Sequence, residues 1–172
     1  MADSRMDAFK QAIKMEKDGK AFYEQALQKA ESKMAKIVFQ DLIKAEDKHI
    51  VKLAKIYKSL EETGGWPDVA LTRDTAETVP NIFSNALATI DEKVKGSTTD
   101  IEALKMAAKL ENDGIKYYQA KSEETDDPFQ KKLFMLLAKA EGEHFVTALD
   151  AVEYLEDPQG YFGQLERGTM SF

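Results

Sequence analysis

No cysteine occurs among the 172 residues. Disulfides, thiolate zinc sites, cysteine-held iron–sulfur clusters and a cysteine nucleophile are thereby excluded. Proline is scarce, with Pro67, Pro80, Pro128 and Pro158 the only four, so long stretches run without a helix breaker. Positive charge is in deficit: 24 Lys and Arg face 31 Asp and Glu, for a net charge of −7. Affinity for phosphate comes from Lys and Arg, so no nucleic acid and no membrane surface is expected as a partner. No apolar run approaches membrane-spanning length, and no apolar signal core follows Met1. The expected location is cytoplasmic.

What is present favours helix. Apolar residues make up 43% and charged residues 32%, too apolar for a disordered chain and enough to build one real core. Ala, Lys, Glu, Leu, Met and Gln dominate the stretches between prolines. Apolar positions recur at spacings of three and four, and strand-like alternation is weak. The pattern predicts helices from about Asp7 to Lys29 and from about Ser32 to Glu62, the second stopped by Thr63-Gly64-Gly65. Another runs from about Asp100, read as its N-cap, to Glu123. A fourth begins at Asp127-Pro128 and ends near Asp157-Pro158. The connection from Gly64 to Thr99 is expected to hold a short helix over 81–94. Short turn, long crossover, short turn is the connectivity of an all-α four-helix bundle with one long crossover. Residues 1–158 are read as that bundle. Residues 159–172, with Tyr161, Phe162, Leu165 and Phe172, are read as a tail that docks on it or on a second subunit.

The two helical hairpins repeat each other. An ungapped shift of 95 positions pairs Glu16 with Glu111, Gly19 with Gly114, and Tyr23 with Tyr118. It also pairs Phe39 with Phe134, Leu42 with Leu137, Glu46 with Glu141, and His49 with His144. Amphipathic hairpins match in Ala, Lys and Leu by composition alone. An ungapped match of Gly, Tyr, Glu and both histidines of the chain needs a duplicated unit.

The repeat places chemistry on the inward faces. Leu42, Glu46, His49 and Leu53 follow steps of four, three and four and share one helix face. Leu137, Glu141, His144 and Ala148 do the same, as do Ala12, Glu16, Gly19 and Tyr23, and Ala107, Glu111, Gly114 and Tyr118. Four carboxylates and two imidazoles are thus expected at the bundle axis. Burying unpaired carboxylates costs several kcal/mol each, about 3 or more. No Lys or Arg recurs on these faces, so the compensating charge is expected to be metal. Two divalent ions would neutralise four carboxylates. Mixed oxygen and imidazole ligands favour iron, with manganese or zinc as substitutes. One Glu-x-x-His is a weak signal. Two, at Glu46–His49 and Glu141–His144, each thirty residues after a lone inward Glu, form a strong one. The expected ligands are Glu16, Glu46, His49, Glu111, Glu141 and His144, with Glu46 and Glu141 bridging two ions. Tyr23 and Tyr118 are placed to hydrogen-bond a ligating carboxylate across the bundle, or to serve as ordinary core aromatics. Gly19 and Gly114 read as close helix packing or as room beside the metals. Asp18 and Asp113 are expected to face elsewhere.

On these residues the chain resembles the rubrerythrin-like branch of the ferritin-like superfamily over about residues 7–157. The resemblance rests on Met15-Glu16-Lys17-Asp18-Gly19 with Phe22-Tyr23, on Phe39 to Leu42 leading to Glu46 and His49, and on their repeats. It implies a di-iron centre, reduction of hydrogen peroxide, and a dimer or larger assembly. Two departures stand out. Typical members carry a rubredoxin domain with Cys-x-x-Cys pairs, absent from this sequence, so electrons are expected from a separate donor protein. Typical members also carry an extra glutamate one turn after the lone Glu of the third helix, where Gly114 stands here.

Three functions follow as expectations. The first is a di-iron oxidoreductase acting on hydrogen peroxide or dioxygen in oxidative-stress defence, as a homodimer, with Tyr23 or Tyr118 near the proton path. The second is a ferroxidase or iron-handling protein. The third is a non-enzymatic helical dimerisation module whose buried polar cluster is vestigial or binds zinc structurally.

Overall fold

A computed structural model describes residues 4–68, 71 and 96–166, with backbone alone for Ser4 and 164–166. Five helices occur among them: α1 (Ser4–Lys29), α2 (Lys33–Thr63), α3 (Thr98–Glu123), α4 (Pro128–Glu156) and α5 (Pro158–Glu166). No strand occurs among the described residues. The architecture is an all-α helical bundle of the ferritin-like kind. The short helix expected over 81–94 lies outside the described residues.

Local chemistry sets the helix ends. Ser32 caps α2 by accepting from the Ala35 N–H at 3.1 Å. Gly64 closes α2 at φ 68, where its N–H reaches the Leu60 carbonyl at 2.9 Å. Glycine adopts that left-handed conformation without a Cβ clash. Asp127 caps α4 and Pro128 fills its first turn, as expected. Two boundaries differ from expectation. Helix α1 begins at Ser4, because Arg5 and Met6 continue a pattern that no breaker interrupts. Helix α3 is capped by Ser97, whose hydroxyl accepts from the Asp100 N–H at 3.2 Å.

Asp100 is therefore not a cap of its own helix. Its carboxylate accepts from the Glu31 N–H at 3.1 Å and the Ser32 N–H at 2.7 Å. It ties the α1–α2 turn to the start of α3, and it is only 1% exposed.

The core falls into two apolar clusters. One gathers Tyr23, Phe39, Leu42, Leu104, Ala148 and Tyr154. The other gathers Phe9, Leu53, Ile56, Tyr118, Leu133 and Phe134. Each Leu, Ile or Phe fully buried in this way contributes roughly 1.5–3 kcal/mol. Along α2 the first cluster ends at Leu42 and the second begins at Leu53, and Glu46 and His49 lie between them. Along α4 the same interval holds Glu141 and His144. A polar layer is thus sealed between two apolar ones.

The chain after α4 docks on its own bundle. Tyr161 of α5 is buried against Tyr154, edge to face at 6.0 Å. At the other end of the crossover, the Gly96 N–H reaches the Leu155 carbonyl at 3.0 Å. A Cβ on Gly96 would stand 2.8 Å from Leu155 Cβ, so only glycine permits this approach.

Candidate metal centre

All six sequence-predicted side chains are buried and converge. Glu16, Glu46, His49, Glu111, Glu141 and His144 lie between 2% and 8% exposed. The heptad-like spacing that buries Leu42 and Leu53 necessarily buries the Glu and His between them. The two imidazoles stack with ring centroids 5.6 Å apart.

The nitrogen aimed at the carboxylates is Nδ1 in both histidines. His49 Nδ1 lies 3.3 Å from Glu16 Oε2 and 3.2 Å from Glu141 Oε1. His144 Nδ1 lies 3.5 Å from Glu111 Oε2 and 3.4 Å from Glu141 Oε2. Two groups of converging ligand atoms result, each within 4.8 Å of one another. One contains Glu46, Glu111, Glu141 and His144; the other contains Glu16, His49 and Glu141. Glu141 belongs to both, which is the geometry of a bridge. Glu46, also expected to bridge, belongs to one group only, and its Oε2 stands 3.9 Å from His49 Nδ1.

The tyrosines act reciprocally. The Tyr23 hydroxyl on α1 donates to Glu111 Oε1 on α3 at 2.6 Å. The Tyr118 hydroxyl on α3 donates to Glu16 Oε1 on α1. Each hairpin orients the other's lone glutamate. Burial, then the neighbouring glutamates, push both phenols above their ordinary range, so they stay protonated donors.

The carboxylates do not titrate alike. Burial and the adjacent Glu16 push Glu46 well above the usual carboxylate range. Burial and Glu141 push Glu111 up to about 8. Burial works the same way on Glu141, but the adjacent Glu111 and the two facing histidines outweigh it and hold Glu141 well below. Burial lowers both histidines, yet the facing carboxylates prevail, bringing His49 to about 9 and His144 well above its usual value.

Among the described residues, three buried side-chain atoms have no hydrogen-bond partner: Glu46 Oε2, Glu141 Oε1 and His144 Nδ1. Each such orphan costs about 1–3 kcal/mol. All three belong to the converging ligand side chains. Ionised carboxylates and neutral imidazoles are what a metal ligand set requires. The donor set therefore fits a pair of divalent ions, which would give each of these orphaned atoms a partner.

A cavity of about 470 Å³ opens between α1 and α3 directly onto this cluster. A Cβ on Gly19 would meet nothing nearer than Tyr23 at 3.9 Å, so close packing does not explain that glycine. At Gly114 a Cβ would press on Glu141 Cγ at 3.3 Å. Both glycines keep the cavity floor clear. Asp18 and Asp113, expected to face elsewhere, are exposed but line the cavity. Sequence reasoning missed them, although they are repeat mates two residues after Glu16 and Glu111. It gave no cavity role to Met15, Phe22, Met106 and Leu110, which form apolar walls.

The fold and this buried carboxylate–imidazole cluster define a ferritin-like bundle able to hold metal. Residues 7–99 match the family model described as Rubrerythrin, over half of the chain. The chain belongs to the rubrerythrin family, whose members typically bind a di-iron centre. Comparison with curated proteins and with solved structures returned no match. The matched span ends within α3, so the second Glu-x-x-His lies beyond it. Among the described residues no helix is long and apolar enough to cross a membrane.

Proposed function

We propose that this chain is a di-iron reductase of hydrogen peroxide, acting in the cytoplasm as a homodimer and re-reduced by a separate electron-donor protein. The observation that carries the reading is the convergence of six buried ligand side chains on three unpartnered atoms. In this reading Glu16 and His49 hold one ion, Glu46, Glu111 and His144 hold the other, and Glu141 is shared. When bound, the two ferrous ions would supply the two electrons that convert hydrogen peroxide to water; manganese would occupy the same ligands, and zinc would do so without any redox service.

The chain's own residues do the rest. Tyr23 and Tyr118 each keep a proton on the phenol oxygen and fix Glu111 and Glu16 by donating to them. The two apolar clusters shield the ligands along the bundle axis, which leaves the cavity as the approach. Gly19 and Gly114 leave the approach from the cavity open. Protons reach this face past the exposed carboxylates Asp18 and Asp113 rather than through a third imidazole, which the chain lacks. Stopped-flow mixing of the reduced, iron-loaded chain with peroxide tests the reading. Oxidation well above the rate of free ferrous iron is expected; oxidation no faster than that overturns it.

The same two aspartates favour a second reading, iron handling, because exposed carboxylates beside the cavity attract cations. Size-exclusion mass discriminates: a dimer weakens storage and a closed shell supports it.

A further inference from the structure

We infer that the cavity between α1 and α3 selects a small, neutral organic hydroperoxide. Its apolar group would lie against Met15, Phe22, Met106 and Leu110, with its peroxide end at the glutamates. The inference rests on the peroxide-reducing reading above and names the substrate class for it.

Size is the first argument. Hydrogen peroxide is little larger than water, whose share of liquid volume is about 30 Å³. A cavity of about 470 Å³ would remain mostly unfilled by it. Sites that bind small organic ligands span roughly 300–1,000 Å³. Polarity is the second argument. Two apolar walls face each other across the opening, Met15 and Phe22 from α1, Met106 and Leu110 from α3. The floor is carboxylate: Glu16, Glu46, Glu111 and Glu141 all reach it. A ligand with one polar reactive end and an apolar body matches that division. The two methionines adapt their shape to such a body.

Charge is the third argument and fixes neutrality. No Lys, Arg or His is among the described residues lining the cavity, while Asp18 and Asp113 add negative charge to it. An anionic substrate, such as a hydroperoxide of a free fatty acid, is repelled. The bare backbones at Gly19 and Gly114 let the peroxide end pass between α1 and α3 to the glutamates.

The reaction balances as a two-electron reduction. The O–O bond of R–O–O–H breaks. The organic oxygen takes one proton and leaves as the alcohol R–OH, and the terminal hydroxyl takes a second proton and leaves as water. The two electrons come from the reduced metal pair and are replaced one at a time by an external one-electron donor protein.

The test separates binding from turnover. The zinc-loaded full chain is titrated with cumyl alcohol, the product alcohol of cumene hydroperoxide, and followed by amide NMR. Saturable shifts at the Gly19 and Gly114 amides are expected. Leu110→Trp fills the inner cavity, and Met106→Trp fills it from a position 43% exposed, where a large side chain does not disturb the core. Each is expected to weaken the alcohol about tenfold or more. With iron loaded, kcat/KM for cumene hydroperoxide is expected to exceed that for hydrogen peroxide, and both variants to lower the ratio about tenfold. No saturable shift at the two glycines overturns the inference, as does a ratio unmoved in both folded variants. Reduction of hydrogen peroxide without alcohol binding overturns this inference alone. Alcohol binding with no reduction of either peroxide overturns the functional reading and the hydroperoxide assignment with it.

Discussion

The hairpin α1–α2 and the hairpin α3–α4 are copies that have divided the work unequally. Both supply a lone Glu, a Glu-x-x-His and a tyrosine. Yet Glu141 sits between both histidines and is held ionised, while its mate Glu46 faces Glu16 and is pushed toward protonation. The outer positions diverge further. Asp100 clamps the α1–α2 turn through two backbone N–H groups. Its mate Arg5 serves the opposite end differently, lying over the Trp66 ring at 5.4 Å. Trp66 in turn donates to Asp127, the α4 cap, at 2.9 Å. Phe22 has become Tyr117, whose hydroxyl donates to the Ala8 carbonyl at 2.8 Å. The comparison teaches that the two copies keep the side chains of the shared carboxylate–imidazole layer and have diverged outside it, even where, as at Asp100 and Tyr117, the new contact still crosses to the other hairpin.

The sharpest way to break the comparison is at the two Glu-x-x-His glutamates. Glu141→Gln is expected to weaken metal binding by ~100-fold or more, beyond the loss typical of an outer hydrogen-bond partner, whereas Glu46→Gln costs less. Metal content by elemental analysis after dialysis checks this, and equal losses would refute the inequality. Next come the reciprocal tyrosines. Tyr23→Phe and Tyr118→Phe are each expected to lower metal affinity about 10–100-fold with no loss of fold. Competition with a chelator measures it, and one silent tyrosine would end the symmetry at that layer.

The clamps should separate more gently. Asp100→Ala leaves the Glu31 and Ser32 amides unpaired and is expected to cost ~1–3 kcal/mol in urea unfolding. Arg5→Ala, a largely surface contact, is expected to cost less than about 1 kcal/mol. A reversed order would mean that the Trp66 end, not the Asp100 end, secures the bundle.

The smallest effect concerns Asp150, whose mate is the exposed Lys55. Burial and the nearby Glu153 push Asp150 up to about 6 from its ordinary 3.8. The folded chain therefore holds this proton more tightly than the unfolded chain. Stability from this group is highest below pH ~4, falls as pH rises through 6, and is level above. Asp150→Asn is expected to remove that slope and raise Tm above pH 6 by at most about 2–4 °C. An unchanged Tm–pH profile would contradict it.

Much of this was legible in the sequence because helices convert spacing into direction. Leu42, Glu46, His49 and Leu53 had to share a face, and the repeat said that Leu137, Glu141 and His144 would answer from the other side. The helix stop at Gly64 and the start at Pro128 were equally plain, since each residue type has one local use there. Asp100 was misread because its type is right for an N-cap. Ser97, three residues earlier, takes that place, and no sequence rule says that a carboxylate will reach a turn 69 residues away. The inequality of Glu46 and Glu141 was hidden for the same reason: it comes from which neighbours crowd each oxygen. Asp18 and Asp113 looked solvated, and they are; what spacing could not show is that the gap between α1 and α3 opens beside them.

The crossed tyrosine–glutamate bonds also bear on the order in which the molecule is made. A nascent chain that has emerged only as far as Thr63 carries Glu16, Glu46 and His49, but neither the phenol that steadies Glu16 nor the carboxylate that Tyr23 grips. Such a half can hold no pair of ions. The full ligand set therefore comes into being only once α4 has been made and the second hairpin has closed on the first.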